Sequence, residues 1–173
     1  MPAADGVEGR ANIEAFAVIG RGVILNENSD FEGLLADVQS EMIAASLEYA
    51  GNGVSDVYIY ASTENGSMFF DPFFVVDGEV VGRGKLLNAD TSIPRQRLLM
   101  KYGSIQLLRL WEAGTKYGRT VPSQLKLHYV VASGSLDAKY EYDAQHSNHR
   151  TLTVHDISGR WQDEIRGEAA GRY

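Results

Sequence analysis

The sequence predicts an α+β fold: a single domain in which a mainly antiparallel sheet packs against a long Leu-rich helix and an N-terminal amphipathic helix. Three observations predict it. Two stretches repeat apolar residues at steps of three and four, around residues 31–49 and 98–111. Asn65-Gly66 and Asp77-Gly78 each sit between β-branched or aromatic runs, as hairpin turns do. The elements follow in the order helix, strands, helix, strands, helix, with no regular βαβ alternation.

Residues 16–25 are the least regular part, with Phe16, Val18 and Ile19 before Gly20-Arg21-Gly22 and Val23, Ile24 and Leu25 after it. They read as a short hairpin or an extended arm. Ser29-Asp30-Phe31-Glu32 has the capping-box spacing and predicts a helix start at Ser29. Phe31, Leu34, Leu35, Val38, Met42, Ala45 and Tyr49 then share one face, and Gly51 can end the helix in a left-handed conformation.

Val57-Tyr58-Ile59-Tyr60-Ala61 reads as a strand, turned at Asn65-Gly66 into Ser67-Met68-Phe69-Phe70. Phe73-Phe74-Val75-Val76 meets Glu79-Val80-Val81 across Asp77-Gly78, and Asp71-Pro72 is expected to bulge or end a strand, giving a three-strand meander. The next helix, with Ser92 as its cap and Pro94 in its first turn, is expected to run to about Ala113. Its apolar residues Leu98, Leu99, Tyr102, Ile105, Leu107, Leu108, Leu110 and Trp111 fill more than one stripe, which predicts a sheet on one side and a second element on the other.

Leu125, Leu127, Tyr129 and Val131 alternate as a half-buried strand, turned at Ser133-Gly134. The following strand places Leu136, Ala138, Tyr140 and Tyr142 toward the core, and Asp137, Lys139, Glu141 and Asp143 toward water. A polar connection over 144–150, a short extended piece from Thr151 to Val154 and a last helix near Ser158–Arg166 complete the chain. Residues 1–173 read as one domain, with disorder expected near residues 1–10 and 167–173.

Composition narrows the function. The 173 residues are 44% hydrophobic and 23% charged, within the globular range. A net charge of −7 disfavours direct phosphate-driven binding to nucleic acid and suits a basic partner. There is no apolar run long enough to cross a membrane, and the acidic start does not resemble a signal peptide, so the chain reads as cytoplasmic. The absence of cysteine excludes disulfides and thiolate metal sites.

No phosphate-loop, nucleophile-elbow or zinc-protease motif occurs, and Gly20-Arg21-Gly22 and Gly82-Arg83-Gly84 read as turns. His146, His149 and His155, with Asp156 beside the last, form the one constellation with metal-like content, although the surrounding residues read as an exposed connection. His128 reads as a surface or hydrogen-bonded histidine. Asp137, Glu141 and Asp143 share one strand face with Lys139, which suits a solvated face or a recognition patch for a cationic partner. Tyr58 and Tyr60 fall opposite Val57, Ile59 and Ala61. They are expected to be exposed as part of a protein-binding surface, with burial under a second layer as the alternative.

The segments Val57–Ala61, Met68–Phe70, Pro122–Tyr129 and Leu136–Asp143, with an amphipathic helix before the first and a Leu-rich helix between the halves, resemble the YezG-like immunity proteins of bacterial polymorphic toxin systems. The resemblance covers about residues 30–143, and the first 29 residues and the extension after Asp143 depart from the family pattern. It implies an antitoxin, not an enzyme, that binds a cognate toxin domain and blocks its active site, the toxin being a basic nuclease or an NAD-degrading protein. No cofactor, direct nucleic-acid partner or membrane partner is implied. Strand alternation, not the family, supplies the expected toxin-binding residues Tyr58, Tyr60, Asp137, Glu141 and Asp143. Two rival readings accompany it: a metal-dependent hydrolase using His146, His149 and His155, and a small-molecule-binding domain with an aromatic pocket between helix and sheet.

Overall fold

A computed structural model of the chain describes residues 27–171. Helix α1 spans Glu27–Ala50, and strands β1 (Asp56–Ser62), β2 (Phe69–Val76) and β3 (Glu79–Gly82) follow. Helix α2 spans Ile93–Tyr117, strands β4 (Gln124–Val130) and β5 (Ser135–Glu141) come next, and helix α3 (Val154–Ala170) closes the described chain. The strands form one sheet in the order β3-β2-β1-β4-β5, with every neighbouring pair antiparallel. The fold is α+β, as the sequence predicts.

The sheet separates two cores because alternate side chains point to opposite faces. On one face Val57, Ile59, Phe70, Phe74, Leu125 and Leu127 pack with Phe31, Val38 and Met42 of α1 and with Leu99, Leu107 and Leu110 of α2. On the other, Tyr58, Tyr60, Phe73 and Val80 pack with Trp161, Val154, Ile157 and Ile165 of α3. The helix pair, the sheet and α3 therefore form three layers. Glu32, Glu41 and Glu48 of α1 meet Arg119, Tyr102 and Arg95 in that order, so α1 and α2 lie antiparallel. The close approach of α2 to the sheet depends on Gly103, where a methyl group would overlap the Phe70 ring.

Several sequence expectations change at the level of elements. α1 already runs at Glu27, so Ser29 lies inside the helix, not at its cap. The Asn65-Gly66 turn has the expected positive φ angles of 55° and 71°. It lies within a longer connection that holds a 3-10 turn over Glu64–Gly66. Asp71-Pro72 neither bulges nor ends a strand: β2 runs straight through, with Pro72 opposite Ile59. β3 stops with Gly82 opposite Phe73, so the strand has no partner on that side at Pro72 and no ladder bond is lost there. Ser92 occupies the position before α2 without a capping side-chain bond, and the helix continues past Ala113 to Tyr117, ended by Gly118 at φ 62°.

α2 packs against both the sheet and α1, as its several stripes predict, and Tyr102 reaches Glu41 of α1, while Leu98, Ile105 and Leu108 are 43–58% exposed. Tyr142, expected on the core side, lies beyond the end of β5 and is 56% exposed. Thr153 is extended, at φ −105° and ψ 164°, and caps α3, which already begins at Val154 and holds residues 167–170 in helix where a disordered tail was expected. Residues 1–26, with the arm read at 16–25 and the disorder read at 1–10, lie outside the described residues, as do 172 and 173. No helix among the described residues is long and apolar enough to cross a membrane.

Candidate functional site

The α3-side face of the sheet is only partly covered. α3 packs over β3 and β2, and its Trp161 meets Tyr58 and Phe73 edge-on, at centroid distances of 5.7 and 5.1 Å. This second layer overturns the expectation of exposed tyrosines: Tyr58 is 7% and Tyr60 0% exposed. The reason is remote in sequence, since the covering ring comes from a helix that begins after β5. The Tyr60 hydroxyl donates to Gln124 Oε1 at 2.9 Å, and burial, reinforced by the Glu64 charge, pushes its pKa upward. It is a buried structural hydroxyl and offers no contact to a partner.

Beyond Trp161 the register continues across β4 and β5. His128 lies opposite both Tyr58 and Asp137, Lys126 opposite both Tyr60 and Lys139, and Gln124 opposite both Ser62 and Glu141. The His128 ring stacks on Tyr58 at 4.1 Å with 7° between the planes, and its Nε2 lies 2.7 Å from Asp56 Oδ1. The Lys126 ammonium sits 5.3 Å from the Trp161 ring, so the cation is held over the aromatic cluster. At the edge, Asp137, Lys139, Glu141 and Asp143 are all exposed. The Asp143 carbonyl accepts from Ser123 Oγ at 2.6 Å, which anchors the chain just past β5. The structure thus brings Asp137 and Glu141 onto one open half-sheet with Lys126 and His128, places Asp143 just beyond it and removes Tyr58 and Tyr60. Two ring contacts and the His128–Asp56 contact order the inner part of this surface, and its outer carboxylates are exposed.

The histidines of the metal reading do not converge. His146 Nε2 lies 2.6 Å from Glu64 Oε2. The His155 ring sets its edge against Phe69 at 4.8 Å, and His149 is exposed on a turn in which its amide donates to the His146 carbonyl. Asp156 is occupied by the Thr153 cap. Among the described residues no three His, Cys, Asp or Glu side chains are grouped to hold a metal ion. A groove of about 1070 Å³ lies between β3, the turn after it and α3, and its lining includes Asp71, Arg83, Lys85, Gln96, Gln162 and Arg166. Asp71 and Arg83 pair there, and Ser158 Oγ donates to the same carboxylate at 2.8 Å.

Sequence reasoning missed Glu64 and Asp71, the two buried carboxylates that tie distant segments together. Glu64 precedes a glycine turn, which reads as solvent-exposed, and no local pattern betrays its burial. Trp161 lies within the helix expected near Ser158–Arg166, but no local pattern marks it as the lid on Tyr58.

No family model matches the chain, and a search of curated proteins returns no match.

Proposed function

We propose that the chain is an immunity protein: an antitoxin that binds a cognate toxin domain stoichiometrically and blocks access to its active site. The observation that carries this reading is the open half-sheet at β4 and β5, where exposed carboxylates border an ordered aromatic and imidazole centre. The segments that resemble the YezG-like family supply β1, the start of β2, β4 and β5, which lie side by side in the sheet.

With Tyr58 and Tyr60 buried, the aromatic contact passes to Tyr142, exposed between Glu141 and Asp143. An exposed tyrosine between two acids combines apolar area with charge, a composition suited to an interface. The acidic rim and the net charge of −7 favour a basic toxin such as a nuclease, whose phosphate-binding face would meet the carboxylates; an NAD-degrading toxin is the alternative partner. Inhibition on this reading is steric, with electrostatic steering of the encounter, so added salt slows association more than it speeds dissociation.

The test is an affinity pull-down with the tagged protein from its native host, followed by mixing with the most enriched partner. A tight stoichiometric complex that abolishes the partner's toxicity or enzymatic activity supports the proposal. A host that expresses such a toxin and yields no stable complex overturns it.

A further inference from the structure

The two edges of the sheet differ. β3, at one end, is four residues long and packs under α3. β5, at the other, pairs along all seven of its residues with β4 and has no strand on its far side among the described residues. It holds no proline and no bulge, and the side chains it turns toward the helices are the apolar Leu136, Ala138 and Tyr140. An edge with no inward-pointing charge is open to a further strand.

The hydrogen bonds fix which backbone groups face outward. The Val131 amide donates to the Ser55 carbonyl and the Thr63 amide to the Ser123 carbonyl, both at 3.0 Å, one at each end of the β1–β4 ladder. In an antiparallel strand the N–H and C=O of one residue point to the same side, and the side alternates along the chain. The odd-numbered residues of β4 thus bond to β1 and the even-numbered ones to β5, where their partners are Ser135, Asp137, Lys139 and Glu141. Leu136, Ala138 and Tyr140 therefore present their N–H and C=O groups at the outer edge.

We propose that this edge pairs with the same edge of a second copy of the chain, antiparallel and centred on Ala138, so that the two sheets become one. The charges select this occupant. A two-fold pairing that sets outward-facing backbone groups against each other centres on a residue of the strand, and Ala138 is the middle residue of β5, so this register engages Ser135 to Glu141 in full. In it Asp137 faces Lys139 of the other copy on both sides of the axis, at the non-hydrogen-bonded positions where opposed side chains lie closest. A shift of the axis by one residue either way sets Asp137 or Lys139 against its own counterpart, and like charges directly opposite are destabilising. The exposed series Asp137, Lys139, Glu141 is thus complementary to itself in the full-length register. On the helix side, Leu136 and Tyr140, each half-buried in the monomer, lie opposite Tyr140 and Leu136 of the second copy and gain apolar cover. This inference is independent of the immunity reading and is tested on the chain alone.

Sedimentation velocity of the full chain, from micromolar to hundreds of micromolar, should show a reversible equilibrium between monomer and dimer. Asp137→Lys and Lys139→Asp each oppose like charges at both positions and should weaken the dimer about tenfold or more. Asp137→Lys combined with Lys139→Asp exchanges the signs and should restore it. Both side chains are exposed, so all three variants should keep the fold, which circular dichroism checks. A chain that stays monomeric over the whole range overturns the proposal. A dimer that the single reversals leave intact, or that the combined exchange fails to restore, places the contact elsewhere and overturns it equally.

Discussion

The Glu64 carboxylate holds the His146 imidazole at 2.6 Å although the two residues belong to segments on opposite sides of α2 in the sequence. The same carboxylate accepts from the Gln145 amide at 2.5 Å, from the His146 amide at 3.2 Å and from Ser147 Oγ at 3.2 Å. One buried acid thus gathers the connection between β5 and α3 onto the turn after β1. Glu64→Ala leaves these donors without an acceptor and is expected to destabilise the protein by about 2–3 kcal/mol. Urea unfolding measures the loss, and amide exchange should quicken at 145–147 before it quickens in the sheet.

Trp161 is the keystone between α3 and the sheet. Trp161→Ala removes the ring that touches Tyr58, Tyr60 and Phe73 and is expected to lower stability by about 3–5 kcal/mol. Near-ultraviolet circular dichroism should report the loosened tyrosines, and proteolysis should release α3 first.

Two glycines on helices should respond with opposite signs. Gly103→Ala drives a methyl group into Phe70 and forces α2 away from β2, for an expected loss of about 1–3 kcal/mol. Gly167 on α3 is exposed with nothing near it, so Gly167→Ala should stabilise by about 0.5–1 kcal/mol through helix propensity alone. Thermal melts of the two variants against the unmodified protein decide the matter.

Asp156 gives α3 a pH dependence. The Thr153 hydroxyl and then the Thr153 amide donate to its carboxylate and hold its pKa below the ordinary value. A carboxyl lowered in the folded state adds stability above its unfolded pKa, and this is lost as pH falls through the folded pKa. Acidification below the usual carboxylate range should therefore fray the start of α3, and Thr153→Ala should flatten that part of the stability profile. Helical circular dichroism from pH 6 down to about pH 2 reads both.

At the proposed toxin surface, Glu141→Lys combined with Asp143→Lys replaces two exposed carboxylates, so the fold should persist and the complex should weaken, chiefly through slower association at low salt. Titration calorimetry and stopped-flow binding with the captured partner check this. Unchanged affinity in the folded double variant would remove the end of β5 from the interface.

Much of the fold was legible because it is written in short range. The Asp77-Gly78 turn joins β2 and β3 with φ angles of 51° and 81°, and the alternation in β4 and β5 appears in their burial. Capping chemistry was harder to place. The Ser29-x-x-Glu32 spacing suggested a cap that lies within α1, whereas Thr153-x-x-Asp156 is the box that forms. Both have compatible spacing, and only the path of the chain before each decides which serves as a cap.

The sequence by itself determined the α+β class, the helices and strands to within a few residues and the net negative charge, because periodicity and turn chemistry act between near neighbours. The tertiary structure alone decided what lies against what. Tyr58 and Tyr60 alternate just as an exposed pair would, and they are buried because Trp161, about a hundred residues away, folds across them. Leu98, Ile105 and Leu108 have the composition of core residues, and they are exposed because α1 and the sheet meet α2 from the other side. Burial depends on the partner element as well as on the residue, and the partner is chosen by long-range packing that no local pattern encodes.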